Sequence, residues 1–172
     1  PTPTMTPTPT IAPGYFQVAG RLVAGGKSIA KAKITLSSGG SQFVIYSGEN
    51  GEFSFYNIFG PASYSITIEA SGHTFNITNG QVTGNLNLDL TGTVRNFQIS
   101  LLALDNTGQP LSGALVNGGT LGVRSTNSSG RASFNIPYGE NFKFIVTRDG
   151  NSFNGPIEGL VLGNSERVAI SR

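Results

Sequence analysis

Apolar residues and hydroxyl- or amide-bearing residues alternate one for one through much of this chain. Ile34-Thr35-Leu36, Phe53-Ser54-Phe55, Tyr64-Ser65-Ile66-Thr67-Ile68 and Leu86-Asn87-Leu88-Asp89-Leu90 all follow the pattern. A period of two puts the apolar side chains on one face of an extended strand and the polar ones on the other, as a half-buried sheet requires. Turn signals separate these runs at Gly25-Gly26, Gly39-Gly40, Asn50-Gly51, Gly60-Pro61 and Asn79-Gly80. Such pairs accept the positive φ of tight hairpins. Only Ser28 to Lys33 reads as briefly helical, and it is too short to form a stable helix.

Composition narrows the chemistry. Charged residues are 12% of the 172, about half the roughly 25% of an average soluble domain. There is no cysteine and one histidine, His73. Disulfide frameworks, thiolate metal sites and cysteine nucleophiles are thereby excluded. A net charge of +2 from 11 basic and 9 acidic residues is too small a surplus to grip nucleic acid. No apolar run approaches the roughly 18 residues that span a bilayer. No cofactor is expected. The chain starts at Pro1 without an initiator methionine, which reads as a processed chain or a segment of a longer one.

The first thirteen residues differ from the rest. PTPTMTPTPT alternates proline with threonine. Proline fixes φ and biases the preceding residue to extended conformations, so residues 1–13 are expected to form a semi-rigid spacer. Thr2, Thr4, Thr6, Thr8 and Thr10 are candidate O-glycosylation positions, since Thr/Pro tracts suit glycosylated stalks of exported proteins.

Beyond the spacer the sequence repeats. Gly51-Glu-Phe-Ser-Phe reappears as Gly130-Arg-Ala-Ser-Phe, 79 residues on, and Gly60 reappears as Gly139. Tyr64, Ile66 and Ile68 match Phe142, Phe144 and Val146, while Gly84-Asn85 matches Gly163-Asn164. Upstream, Phe16-Gln17-Val18 answers Phe97-Gln98-Ile99, and Ile29, Ala32 and Ile34 answer Leu111, Ala114 and Val116. Strand faces stay in phase while single-residue shifts fall in turns, as duplicated β domains would behave. The expected organisation is a spacer at 1–13, a β-sandwich at 14–92 and a second of the same type at 93–172. The fold class is all-β, with two tandem Ig-like antiparallel sandwiches behind an extended arm.

Each copy resembles the carboxypeptidase regulatory-like, or transthyretin-like, domain, a relative of the CnaB-type modules of bacterial surface proteins. In the first copy the resemblance lies in Gly20 to Val23, Ile29 to Leu36, Asn50 to Phe55, Gly60, Tyr64 to Ile68 and Gly72. In the second it lies in Gly108 to Val116, Ser129-Gly130, Phe134, Ile136-Pro137, Gly139, Phe142 to Val146 and Asp149-Gly150. The first copy departs from the pattern at His73, where an aromatic usually follows the glycine. The resemblance implies a scaffold or spacer in an exported protein more than any activity.

It also raises an internal isopeptide bond, which needs an early-strand lysine, a last-strand Asn or Asp, and a buried acid. The strand from Tyr15 to Val23 carries Arg21 and no lysine. Glu69 lies one residue past Ile68, on the outward face, and the second copy has Arg148 and no acid there. These residues argue against the bond.

Other chemistry is sparse. His73 has no second histidine or cysteine to share a metal with. Glu49, Asn50 and Glu52 offer oxygen ligands in one hairpin, but charged hairpin tips are ordinarily just solvated. There is no G-x-S-x-G elbow, and one histidine leaves no triad to assemble. Gly118-Gly119-Thr120-Leu121-Gly122 lacks the lysine of a phosphate loop. For sugar stacking, Tyr56, Tyr138 and Phe59 are the candidates; the plainer reading is that they cap the sandwich ends. Asn76-Ile77-Thr78 and Asn127-Ser128-Ser129 are sequons, making Asn76 and Asn127 candidate N-glycosylation sites. Ile11, Tyr15, Phe16 and Val18 are candidates for a strand added to a neighbouring subunit.

Taken together, the residues point to a non-catalytic extracellular structural module for spacing, adhesion or filament assembly. Its expected partners are other copies of itself or neighbouring domains of a larger surface protein. The alternative is an accessory carbohydrate-binding module of a secreted polysaccharide-degrading enzyme.

Overall fold

The computed structural model describes residues 14–149 and 151–171. The chain divides between Val94 and Arg95 into two compact units. The expected boundary at Gly92 falls two residues earlier. The last strand of the first unit runs on to Val94, because Thr93 and Val94 pair with Thr74 and His73.

The first unit contains β1 (Tyr15–Ala24), β2 (Lys27–Ser28), β3 (Lys33–Ser38), β4 (Ser41–Tyr46), β5 (Glu52–Phe59), β6 (Ala62–Glu69), β7 (His73–Thr74), β8 (Thr78–Val82) and β9 (Leu86–Val94). One sheet has β1 at its centre, between β5 and β9, with β7 beyond β9 and β2 beside the end of β1. The other runs β4-β3-β6-β8. Val18, Leu22, Ile34, Leu36, Ile58, Ile66 and Val82 are wholly buried, with Phe53 and Phe55 edge-to-face beside them. Each such side chain contributes about 1.5–3 kcal/mol on burial. The Ser28–Lys33 stretch is not helical: it holds the end of β2, a left-handed Lys31 (φ 57) and the start of β3. Asn79-Gly80 is not a turn either, but the middle of β8. The ring of Tyr64 lies over Gly80, where an added Cβ would come within 2.7 Å of Tyr64 Cε1. The glycine here serves close approach, not chain reversal.

The second unit contains β10 (Asn96–Leu104), β11 (Leu115–Asn117), β12 (Val123–Ser125), β13 (Arg131–Pro137), β14 (Asn141–Arg148), β15 (Asn151–Ser152), β16 (Ile157–Leu160) and β17 (Ser165–Ile170). Its sheets are β13-β10-β17, and β12-β11-β14 with β15 and β16 both paired to β14. A 3-10 turn at Gly119–Leu121 is the one helical element among the described residues. Ile99, Leu101, Val116 and Phe134 are buried, and the Phe134 and Phe144 rings stack 4.6 Å apart.

In both units the first and last strands are neighbours and run parallel, while the other pairings are antiparallel. Val18–Ala24 pairs with Leu86–Gly92, and Ile99–Leu104 with Ser165–Ile170. The repeated Gly-Asn pair explains how this ladder starts. Asn85 Oδ1 accepts the Gln17 N–H at 2.9 Å, and Asn164 Oδ1 accepts the Gln98 N–H at 2.8 Å. Each side-chain amide thus stands in for one more rung. Gly20 allows the strands to meet in the first unit, since a Cβ there would collide with the Leu88 carbonyl.

A second repeated device is invisible in the alternation pattern. Ser47 and Thr126, 79 residues apart, are both 4% exposed. Ser47 Oγ donates to the Ile29 carbonyl at 2.7 Å and accepts the Ala32 N–H at 3.0 Å. Thr126 Oγ1 donates to the Leu111 carbonyl at 2.6 Å and accepts the Ala114 N–H at 3.0 Å. Each hydroxyl pins the loop that carries the chain from one sheet to the other. The backbone of that loop also turns left-handed in both copies, at Lys31 (φ 57) and at Gly113 (φ 78).

Ser47→Ala strands a buried N–H and a buried carbonyl, and Thr126→Ala a buried N–H and a part-buried carbonyl. Each is expected to lower the stability of its own unit by about 1–3 kcal/mol in denaturant unfolding. Lys31→Gly relieves left-handed backbone at a lysine, a strain of about 1–2 kcal/mol, and is expected to raise the denaturant midpoint of the first unit. Its exposed, 3.8 Å contact with Glu49 is worth little. Asp105 accepts from the Thr107 hydroxyl and the Gln109 and Thr107 N–H groups, which hold its carboxyl below the usual carboxylate range. Arg131 does the same for Glu166 by hydrogen bond and charge. Both contributions are complete above the unfolded carboxylate values and lost as pH falls through the lower folded ones. The melting temperature is therefore expected to fall on acidification below about pH 4.

Candidate functional site

The surface features that bear on function are the sheet edges, the exposed aromatics, the sequons and one neutral groove. Thr2, Thr4, Thr6, Thr8, Thr10 and Ile11 lie outside the described residues. Tyr15, Phe16 and Val18 fall in β1, the centre of the first sheet. Tyr15 and Phe16 pair with Phe59 and Ile58 of β5, and Val18 is paired on both sides and 0% exposed. An added strand built on Val18 is therefore corrected: that residue is already held on both sides within the unit's own sheet and core. Asn76 is exposed in the loop between β7 and β8. Asn127 is exposed as well, with Oδ1 accepting from the Ser129 and Arg131 N–H groups. That arrangement closes a tight Asx turn.

The candidate aromatics divide between the units, Tyr56 and Phe59 in the first and Tyr138 in the second. Tyr56 and Tyr138 are half-buried, and the Tyr138 ring lies 6.1 Å from Phe97. Phe59 is 59% exposed and meets Tyr15 edge-on at 5.5 Å. Tyr15 was not among the expected stacking residues. A β-bulge brings it there: the register slips between Phe16 and Val18, and Asn57 turns left-handed (φ 58).

The oxygen cluster in the hairpin does not converge on a metal. Glu52 Oε2 accepts the Asn50 N–H at 2.9 Å, and Glu49 points to Lys31. No group of three metal-ligating side chains is present among the described residues. His73 is part of β7, with Nδ1 2.6 Å from the Ser71 carbonyl oxygen.

The isopeptide set is likewise not assembled. The buried polar residues among those described are Ser38, Ser47 and Thr126, with no buried lysine or carboxylate. Glu69 is on the outer face and pairs with Lys33 at 2.9 Å, which raises the lysine pKa above its usual value.

A shallow groove of about 780 Å³ opens beside the β3–β4 hairpin. Ser37, Gln42, Ser65 and Asn79 are aligned across its four strands. Gln81 Nε2 donates to Ser63 Oγ at 2.8 Å on the same side. Its lining has no charged residue. Ser38 Oγ, at its margin, is buried without a hydrogen-bond partner. Neutral donors and acceptors in this density suit a polyhydroxylated ligand better than an ion. The alternation placed Ser65 on an outward face, whereas Asn79 read as part of a turn, and the alignment across strands depended on register.

No helix among the described residues is long and apolar enough to cross a membrane. No protein-family model matches the chain, and no curated protein matches it in sequence. Solved structures do resemble it. The shaft pilin SpaA of Lactobacillus rhamnosus GG matches 92% of this chain over 98% of its own, at 10% identity and a TM-score of 0.41. A streptococcal ancillary pilin matches 93% over 63% of its own, at 14% identity and a TM-score of 0.45. The TIE protein of Bacillus anthracis matches 91% of this chain at 14% identity with a TM-score of 0.63, and the chain spans 33% of that structure's length. The likeness to the TIE protein is one of fold. It supports the β-sandwich class without singling out the carboxypeptidase regulatory-like family.

Proposed function

We propose that this chain is a non-catalytic, load-bearing structural module of an extracellular surface protein, its two units acting as tandem spacers of one domain type. The observation that carries the reading is the parallel pairing of first and last strands in each unit. Tension applied to the two ends of a unit pulls such neighbours in opposite directions along their length. Seven paired positions in the first unit and six in the second then bear the load together. An antiparallel terminal pair would instead open one rung at a time. Arg95 alone separates β9 from β10, so tension leaving one ladder passes directly into the next. The partners implied are the neighbouring domains of the same surface protein and other copies of it.

A second reading is favoured by the neutral groove beside the β3–β4 hairpin: contact with an uncharged polysaccharide. Retention on insoluble polysaccharide that is lost in Asn79→Ala would support it; no retention would remove it.

Force spectroscopy tests the load-bearing reading. Pulled from its ends, the protein is expected to unfold in two events, each releasing roughly 250 Å of chain if each unit is free of an internal cross-link. With one handle moved to Gly84→Cys, ahead of β9, and the other kept at the N-terminus, the same ladder is unzipped. The chain has no native cysteine, and a Cβ at Gly84 meets nothing within 4 Å. The first unit is then expected to open at a several-fold lower force. Equal forces in the two geometries would overturn the reading.

A further inference from the structure

Most sheet edges in this protein carry a feature that discourages pairing with another chain. β5 has Glu52, β8 has Gly80, β12 has Arg124, β13 has Arg131 and Pro137, and β16 has Glu158 and Gly159. β4 has none. It reads Ser41-Gln-Phe-Val-Ile-Tyr46, with no charge, proline or glycine, and it pairs with β3 alone. Such a segment has the composition of a strand that adds to other strands. Val44 is 48% and Tyr46 67% exposed.

We propose that β4 is a self-pairing edge, joining a second copy of this chain antiparallel about a two-fold axis at Val44. Three independent features agree with that axis. The first is backbone polarity. Gly39 and Gly40 (φ 56 and 79) form a two-residue hairpin closed by Ser38 and Ser41. The closing pair of such a hairpin exchanges both its hydrogen bonds, and the direction alternates thereafter. Phe43 and Ile45 therefore point their N–H and C=O groups at β3. Gln42, Val44 and Tyr46 point theirs outward. With Val44 opposite the second copy's Val44, Gln42 falls opposite Tyr46, so three pairs of outward groups meet in bonding register.

The second feature is the side-chain face. In this register Phe43 lies opposite Ile45 of the second copy. Both are half-buried and packed against the core, so the apolar layer runs on across the seam. A shift by one residue would set inward side chains against outward ones.

The third is charge. The row through Tyr46 continues on its own side to Lys33 and Glu69, which neutralise each other at 2.9 Å. Across the axis it meets Gln42 and then Ser37 of the second copy. No like charges face one another. The added contact is a single six-residue strand, small beside the roughly 1,200–2,000 Å² of stable complexes, so the association is concentration-dependent. The proposal does not rest on the load-bearing reading, which concerns β1, β9, β10 and β17.

Light scattering on the full chain, followed from low concentration to about 1 mM, tests it. The wild type is expected to rise from monomer mass toward dimer mass. Val44→Lys and Val44→Asp each place like charges on the axis at a half-exposed position. Each is expected to weaken the dimer by up to about fivefold, with unchanged circular dichroism. Because Val44 faces itself, an equimolar mixture of the two variants is expected to recover the dimer. A wild type that stays monomeric, a Val44→Lys dimer as strong as the wild type, or a mixture that remains monomeric would each overturn the proposal.

Discussion

The architecture depends on the parallel ladder between the first and last strand of each unit. Parallel neighbours cannot be joined by a tight turn, so the intervening chain must be spent on crossovers between two sheets. Here the whole of each unit is that connection. The ladder closes both sandwiches from their ends. It needs a strand that can approach closely, which Gly20 permits beside Leu88. It also needs a defined register, which Asn85 and Asn164 set by taking the N–H just ahead of the first rung. A hydrophobic core holds the sheets together, but the ladder determines where an external force is felt.

The two hydroxyl clamps serve the same end at the other side of the first strand. After β1 the chain must leave its sheet and enter the opposite one through a buried corner. Buried backbone groups at that corner have no strand partner, and leaving them unpaired is costly. Ser47 and Thr126 each satisfy one donor and one acceptor from the following hairpin. The copies differ in backbone comfort: the second has glycine at the left-handed position, the first has Lys31.

Low charge has two consequences that belong together. It leaves neutral polar faces, such as the groove over Ser37, Ser65 and Asn79. It also removes the commonest guard of sheet edges, and β4 is where that removal is complete. The internal hydrogen bonding, by contrast, is nearly complete, with Ser38 Oγ the one orphaned side-chain atom found among the described residues.

The sequence by itself determined the all-β class, most strands and the inward face of each, because a period of two survives in any sheet that buries one side. It also pointed to a duplicated chain, since matched turns and core positions recur in order. What it could not show was pairing between strands distant in the chain. Alternation says which face a residue takes and nothing about its neighbour. Hence Val18 read as free to leave, Asn79-Gly80 read as a turn, and Ser47 and Thr126 passed unnoticed among many other hydroxyls. Only the tertiary structure decided that the first strand lies parallel to the last, that Tyr64 fills the space above Gly80, and that β4 remains an uncovered edge. Those outcomes depend on register and on what approaches from the opposite sheet, which are properties of three-dimensional packing.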